Sequence, residues 1–224
     1  MTLRDLRGLI VSIQPPSGSA LDDPAVIAAM AACAIENGAA AVRIEGIQRI
    51  RAVRARLPQT PIVGLVKRAV EGFSPYITAS LSDVENVLSA GATVVAFDAT
   101  SRVRSDGSTV PDAIASIHAR GGIAFADCAC VEDARAAAAG GADALATTLC
   151  GYTDETRGTP LPALDLVRKI SGLGVFTVCE GGVASPAQAA SAFAHGANAV
   201  VVGTALTNLD VLVRRYADTA PRSS

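Results

Sequence analysis

The chain has 224 residues, half of them hydrophobic, which is enough to bury one large core, and it reads as one domain over 1–224 with a disordered tail at 221–224. Its 19 Lys and Arg against 21 Asp and Glu leave a formal charge of −2, with no basic face for nucleic acid. Tryptophan is absent and aromatics are scarce, no apolar run is long enough to span a bilayer, and the mixed, charged N-terminus is not that of a secretory signal.

Short β-branched runs alternate with longer alanine-rich segments along the whole chain. The strand candidates are Leu9 to Ile13, Ala41 to Ile44, Ile62 to Val66, Thr93 to Phe97, Ile123 to Ala126, Ala144 to Thr147, Val175 to Cys179 and Ala199 to Val202. Helical patterns follow each of them. Asp22 to Asn37 opens on a capping Asp and a first-turn proline and closes on Gly38. Ile47 to Arg56 is stopped by Pro58. Ser82 to Ala90 starts with a candidate capping box, Ser82 with Glu85. Val110 to Arg120, Val131 to Ala139, Pro162 to Ile170, Pro186 to His195 and Leu209 to Ala217 complete the set. Gly-Ala recurs between helix and strand at Gly38, Gly91, Gly141 and Gly196, each a helix C-cap followed by a small residue. Eight strand-helix units predict a parallel (β/α)8 TIM barrel rather than an open doubly wound sheet, whose glycine fingerprint would follow the first strand.

The five cysteines, Cys33, Cys128, Cys130, Cys150 and Cys179, are odd in number and form no CxxC pair. They point to a reducing cytoplasm, without a disulfide framework and without a metal site. His118 and His195 fall within or at the end of helices, where structural or solvated roles are expected. Cys179 precedes Glu180, so strand alternation turns it to the opposite side, into packing.

In a barrel of this kind chemistry sits at the C-terminal ends of the strands. Those ends carry Gln14, Arg43 with Glu45, Lys67-Arg68, Asp98 with Thr100 and Arg102, Asp127, Thr147-Thr148, Glu180, and Gly203-Thr204. Longer loops carrying Phe73, Tyr76 and Tyr152 rise on the same face. Lys67 ends a buried run, so its ammonium is partly desolvated and usable as a base; the alternative is a structural ion pair with Asp98 or Asp127. Glu180 is either a working carboxylate or a helix-terminus anion. Arg43 could clamp an anion or pair with Glu45 or Glu36. Gly181, Gly182, Gly203 and Thr204 offer backbone N–H groups after the seventh and eighth strands, where barrels bind phosphate; the alternative is two tight turns.

These residues lie in a context that resembles the N-acetylmannosamine-6-phosphate 2-epimerase family over nearly the whole chain. The resemblance rests on Gly8-Leu9-Ile10-Val11-Ser12 with Gln14, Val42-Arg43, Ile62 to Arg68, Tyr76-Ile77-Thr78 and Phe97-Asp98-Ala99-Thr100 with Arg102. It continues through Ala126-Asp127, Thr147 to Thr153, Glu180-Gly181-Gly182-Val183 and Val201 to Ala205. It implies interconversion of N-acetylmannosamine 6-phosphate and N-acetylglucosamine 6-phosphate in sialic acid breakdown, without a cofactor, with Lys67 and Glu180 as the catalytic pair. It also implies a homodimer, to which the final helix could contribute. The candidate substrate contacts are Gln14, Arg43, Asp127, Thr148 and Tyr152, and the candidate phosphate contacts are Gly181, Gly182, Gly203 and Thr204. Two rival functions share these residues: a Schiff-base aldolase or lyase using Lys67 on a phosphorylated sugar, and a non-catalytic phosphosugar-binding barrel.

Overall fold

The strand runs are apolar at nearly every position because both faces are covered, one by the barrel interior and the other by helices. In the computed structural model, which describes residues 2–221, eight strands pair in parallel, each with the next, and the eighth closes on the first. The strands are β1 (Gly8–Ile13), β2 (Ala41–Glu45), β3 (Ile62–Leu65), β4 (Val94–Asp98), β5 (Ile123–Asp127), β6 (Ala144–Ala146), β7 (Phe176–Cys179) and β8 (Ala199–Val202). The helices are α1 (Pro24–Glu36), α2 (Ile47–Arg56), α3 (Leu81–Ser89), α4 (Val110–Ala119), α5 (Val131–Ala139), α6 (Leu164–Ser171), α7 (Pro186–Ala194), α8 (Thr204–Thr207) and α9 (Leu209–Ala217). The expected (β/α)8 barrel is therefore present, with each strand within one or two residues of its predicted span. Of the tail expected at 221–224, residues 222–224 lie outside the described residues.

Alternation along each strand sorts the core into two layers. Ile10, Val63, Ala96, Phe125, Val178 and Val201 belong to the cluster that fills the barrel. Leu6 joins it from a 3-10 turn, Leu3–Leu6, just ahead of β1, and so packs under the N-terminal end of the barrel. The intervening Val11, Val42, Ile44, Ile62, Val95 and Leu145 face outward, under Ile27, Ile50, Val53, Val84 and Val87 of the helices.

Local details differ from the sequence reading in a few places. The Ser82–Glu85 capping box does not form. Ser80 is the N-cap of α3, its hydroxyl accepting from Asp83 N–H at 3.2 Å, while Asp106 accepts from Leu81 N–H and fixes the helix start. Glu85 instead pairs with Arg120 at 3.0 Å. The helix starts ahead of Ser82 because Ser80 has extended backbone and its hydroxyl takes up a first-turn N–H, which is what a cap requires. Helix α6 starts at Leu164 rather than Pro162, and the four-residue α8 separates β8 from α9. After β3 the segment Tyr76-Ile77-Thr78 folds back on the strand end: Arg68 N–H donates to Tyr76 O and Thr78 N–H to Val66 O, forming an antiparallel bridge between Lys67 and Ile77. All five cysteines are free thiols, and among the described residues no helix is long and apolar enough to cross a membrane.

Gly64 marks a close contact between the barrel and the layer outside it. A Cβ there would lie 2.5 Å from Ala92 Cβ and 2.8 Å from Val87 Cγ1. Gly64→Ala is expected to destabilise the fold by about 1–3 kcal/mol, the range for overpacking a filled core. Urea unfolding measures this; an unchanged midpoint would show that α3 can back away without loss.

Candidate active site

The inward positions of the strands continue past the apolar layers to polar side chains at the C-terminal rim. Two residues beyond Ile10, Ala41, Leu65, Phe125, Ala146, Val178 and Val201 stand Ser12, Arg43, Lys67, Asp127, Thr148, Glu180 and Gly203. The period of two that builds the core therefore also aims these groups at one space. A cavity of about 490 Å³ opens there, lined by every candidate except Asp127: Gln14, Arg43, Lys67, Thr148, Tyr152, Glu180, Gly181, Gly182, Gly203 and Thr204. Asp127 is fully buried behind that wall.

Arg43 is the centre of the arrangement. Its side chain is 1% exposed, with NH1 and NH2 donating to Asp127 Oδ1 and Oδ2 at 3.2 and 2.8 Å, and NH1 3.1 Å from Glu180 Oε2. Below it the guanidinium stacks over Phe125 at 5.3 Å. Burial works against its charge, but the Asp127 and Glu180 carboxylates outweigh that and raise its pKa. The pairings weighed from sequence, with Glu45 or Glu36, do not occur. Glu45 is taken by Arg49 at i+4, and Arg43 points inward, away from α1.

Glu180 sits at the end of β7 with its carboxylate 3.1 Å from Arg43 and 3.0 Å from Thr148 Oγ1. Burial and the Asp127 charge push its pKa up to about 7, against the opposing pull of Arg43, Thr148 and Lys67. Thr148 stands between the two carboxylates. Its Oγ1 lies 2.6 Å from Asp127 Oδ1 as well as 3.0 Å from Glu180 Oε2. A hydroxyl has one proton, so it donates to one carboxylate at a time, and when it donates to Glu180 it favours the ionised form. Thr147 holds the strand end itself: its Oγ1 donates to Glu180 O at 2.8 Å and accepts from Glu180 N–H at 3.0 Å.

Lys67 extends from the end of β3 and makes no ion pair among the described residues. The partners considered for it are occupied elsewhere, Asp98 by Arg102 at 2.7 Å and Asp127 by Arg43. Burial and then the Arg43 charge lower its pKa, with Glu180, Glu45 and Asp127 opposing. The residue as a whole is open to solvent through the cavity, so the lowering deepens only when a ligand displaces that water.

At the opposite end of the cavity Gly181, Gly182, Gly203 and Thr204 present backbone N–H groups that donate to no protein acceptor among the described residues. Gly181 and Gly182 have φ of 104° and 70°, which only glycine adopts without strain. Gln14 donates from Nε2 to Ser12 Oγ at 2.8 Å, and its buried Oε1 has no partner, nor has Arg43 Nε. Unpaired buried polar atoms on a cavity wall fit a ligand rich in hydroxyl groups.

The strand-end logic did not single out Ser12, Thr207, Asn208 and Arg215, which also line the cavity, nor assign a role to Tyr76, which does so too. Ser12 was legible as the inward residue two beyond Ile10. Arg215 was not, because it arrives from the last helix rather than a strand end. The remaining polar candidates lie away from the site. His118 pairs with Asp143 at 2.8 Å on the outside of the barrel, and His195 ends α7 with its Nδ1 2.7 Å from Ser191 O. Cys179 is buried in the outward cluster of Val167, Val200 and Ala192, as alternation requires.

Comparison with known proteins places this geometry in a family. The family model described as "Putative N-acetylmannosamine-6-phosphate epimerase" matches residues 27–221. A protein of Synechococcus elongatus named "Putative N-acetylmannosamine-6-phosphate 2-epimerase" is 44% identical over 218 residues, covering 96% of this chain and 94% of its own. A protein of the same name from Escherichia coli O157:H7 is 44% identical over 210 residues, with 93% and 90% covered. The solved structure of the N-acetylmannosamine-6-phosphate 2-epimerase from Clostridium perfringens superposes with a TM-score of 0.93 at 30% identity, covering 98% of this chain and 97% of that one. Thiamine phosphate pyrophosphorylase from Pyrococcus furiosus, at 17% identity and a TM-score of 0.62, shares the barrel fold alone. The chain belongs to the N-acetylmannosamine-6-phosphate epimerase family.

Proposed function

We propose that this protein epimerises N-acetylmannosamine 6-phosphate at C2, giving N-acetylglucosamine 6-phosphate, a step of sialic acid breakdown. The observation that carries the proposal is a lysine without an ion pair, Lys67, in one cavity with a carboxylate held near neutrality, Glu180, while bare backbone donors wait at the other end.

The C2 proton becomes acidic only when C1 is an aldehyde, so the sugar ring opens first. Glu180 as carboxylate takes the proton from the C1 hydroxyl and returns it to the ring oxygen as the C1–O bond breaks. A pKa near 7 suits both halves of that transfer. Neutral Lys67 then removes the C2 proton, and the electron pair of the C–H bond moves onto the C1 oxygen. Arg43, charged and fixed by Asp127, is the cation available to that enolate oxygen. After the intermediate turns, protonated Lys67 returns the proton to the opposite face of C2, and the ring closes by the reverse of opening. Gly181, Gly182, Gly203 and Thr204 hold the phosphate throughout, so the reacting end moves while the anchor stays.

Asp127 acts here through Arg43 and Thr148 rather than on the substrate, because it is buried behind both. Gln14 and Tyr152 face the cavity and supply sugar contacts. The homodimer is supported by an apolar stripe on α9: Leu209, Val213 and Tyr216 are each more than half exposed, at spacings that share one helical face, exposed Leu206 precedes them on α8, and α9 contains no buried residue. Sedimentation is expected to give twice the chain mass of 22.6 kDa, and Val213→Asp to shift it towards the monomer. A monomeric parent at micromolar concentration would contradict the dimer.

Lys67→Ala is expected to lower turnover by roughly 10²–10⁴-fold, the usual worth of a positioned general base, while glucosamine 6-phosphate still raises the melting temperature as it does in the parent. Retained turnover would remove Lys67 from the chemistry. The pH profile carries a second test. Glu180 must be ionised and Lys67 neutral, so kcat/KM should rise with pH, steeply below about 7 and more gently above it, where only Lys67 still titrates. A profile that is flat across neutrality would contradict these roles.

A further inference from the structure

The phosphate end of the cavity has a shortage of positive charge that the strand ends cannot repair. A phosphate monoester brings about −1.5 to −2 charges at neutral pH. The backbone donors of Gly181, Gly182, Gly203 and Thr204 supply dipoles but no net charge. Position 182, which lines this end, is closed to a side chain: a Cβ there would lie 2.4 Å from Leu161 Cβ and 3.4 Å from Leu161 backbone atoms, and φ is 70°. No side chain fits at 182 while the loop carrying Leu161 keeps its place.

Among the described residues three cations line the cavity, Arg43, Lys67 and Arg215. Arg43 is held at the reacting end by Asp127 and Glu180. Lys67 belongs to the end of β3, across the barrel from the turn after β8. Arg215 differs from both. It stands on α9, the helix that follows Thr204 to Asn208, and makes neither a salt bridge nor a side-chain hydrogen bond among the described residues. Its neighbour Arg214, by contrast, donates from Nε to Asp210 O at 2.9 Å. The helix is fastened to the rim: Asn208 caps it through Val211 N–H, and Asp210 accepts from Ser19 Oγ in the loop after β1 at 2.8 Å. A long, unpaired guanidinium is thus carried to the same cavity on a fixed support.

We infer that Arg215 supplies the phosphate-binding cation of this protein, from the last helix, in place of any side chain at 182, and so sets its preference for phosphorylated over free sugars. This rests on the phosphosugar assignment made above. Arginine is suited to the task because its planar fork meets two phosphate oxygens at once. As an exposed group it is screened by water and salt, which puts its effect at the lower end of the range for charged hydrogen bonds, about tenfold in affinity.

The test compares the parent with Arg215→Ala, Arg215→Lys and, as a control on the same helix, Arg214→Ala. Inorganic phosphate binding is measured by calorimetry and N-acetylmannosamine 6-phosphate turnover by kinetics. Arg215→Ala should weaken phosphate binding about tenfold and raise KM by a similar factor, with kcat changed far less, and both effects should shrink in high salt. Arg215→Lys should recover part of the loss, and Arg214→Ala should match the parent. If Arg215→Ala binds phosphate and substrate within twofold of the parent, the inference is overturned while the epimerase assignment stands. If phosphate binding falls as described but the parent shows no turnover, the cation role stands and the epimerase assignment fails.

Discussion

A single buried guanidinium holds the working end of this barrel together. Arg43 sits in the throat between Asp127 and Glu180, over the ring of Phe125, with almost no access to water. A buried charge of this kind is tolerable only when its partners are complete, and removing one partner leaves a strongly unfavourable ion behind. Arg43 therefore constrains three strands at once, β2, β5 and β7, and fixes where the Glu180 carboxylate can be. The constraint also sets the chemistry. One cation faces two carboxylates, so the set is one charge short, and burial places the shortfall on Glu180 as an elevated pKa. Thr148 stands between the two carboxylates, within hydrogen-bond reach of both as a donor.

Much of this was legible in the sequence because the same period of two governs core and site. Once eight apolar runs are recognised, the inward polar residue past each run is nearly determined, and Arg43, Lys67, Asp127, Thr148 and Glu180 follow. What the sequence could not supply was the pairing across the barrel. Arg43 has Glu45 two residues away and Glu36 on the preceding helix, and only the inward direction of its side chain, toward residues 84 and 137 positions later, decides for Asp127 and Glu180. The same holds for Lys67, whose freedom is apparent only after Arg102 and Arg43 have claimed Asp98 and Asp127. Local propensity misled at α3, where Ser80 and Ser82 are both plausible caps and a contact from Asp106 in the next loop decides between them.

The cavity divides its labour along its length. At the strand ends β2, β3 and β7 it gathers charged side chains: the proton affinities of Lys67 and Glu180 are moved towards neutrality, while Arg43 between its carboxylates stays firmly charged. At the turns after β7 and β8 it offers glycine backbone, and at 182 the neighbouring Leu161 leaves no room for a side chain. A substrate anchored at one end by a non-reacting phosphate can change ring form and face at the other without leaving. That is the physical requirement for inverting one stereocentre with a single base.

The central claim is that the C2 proton is taken off and put back. Proton NMR of N-acetylmannosamine 6-phosphate in D2O with the purified protein tests it directly. The account predicts that the C2 proton signal fades, with deuterium at C2, as the signals of N-acetylglucosamine 6-phosphate grow. A C2 signal that persists undiminished, with no second sugar appearing, would contradict it.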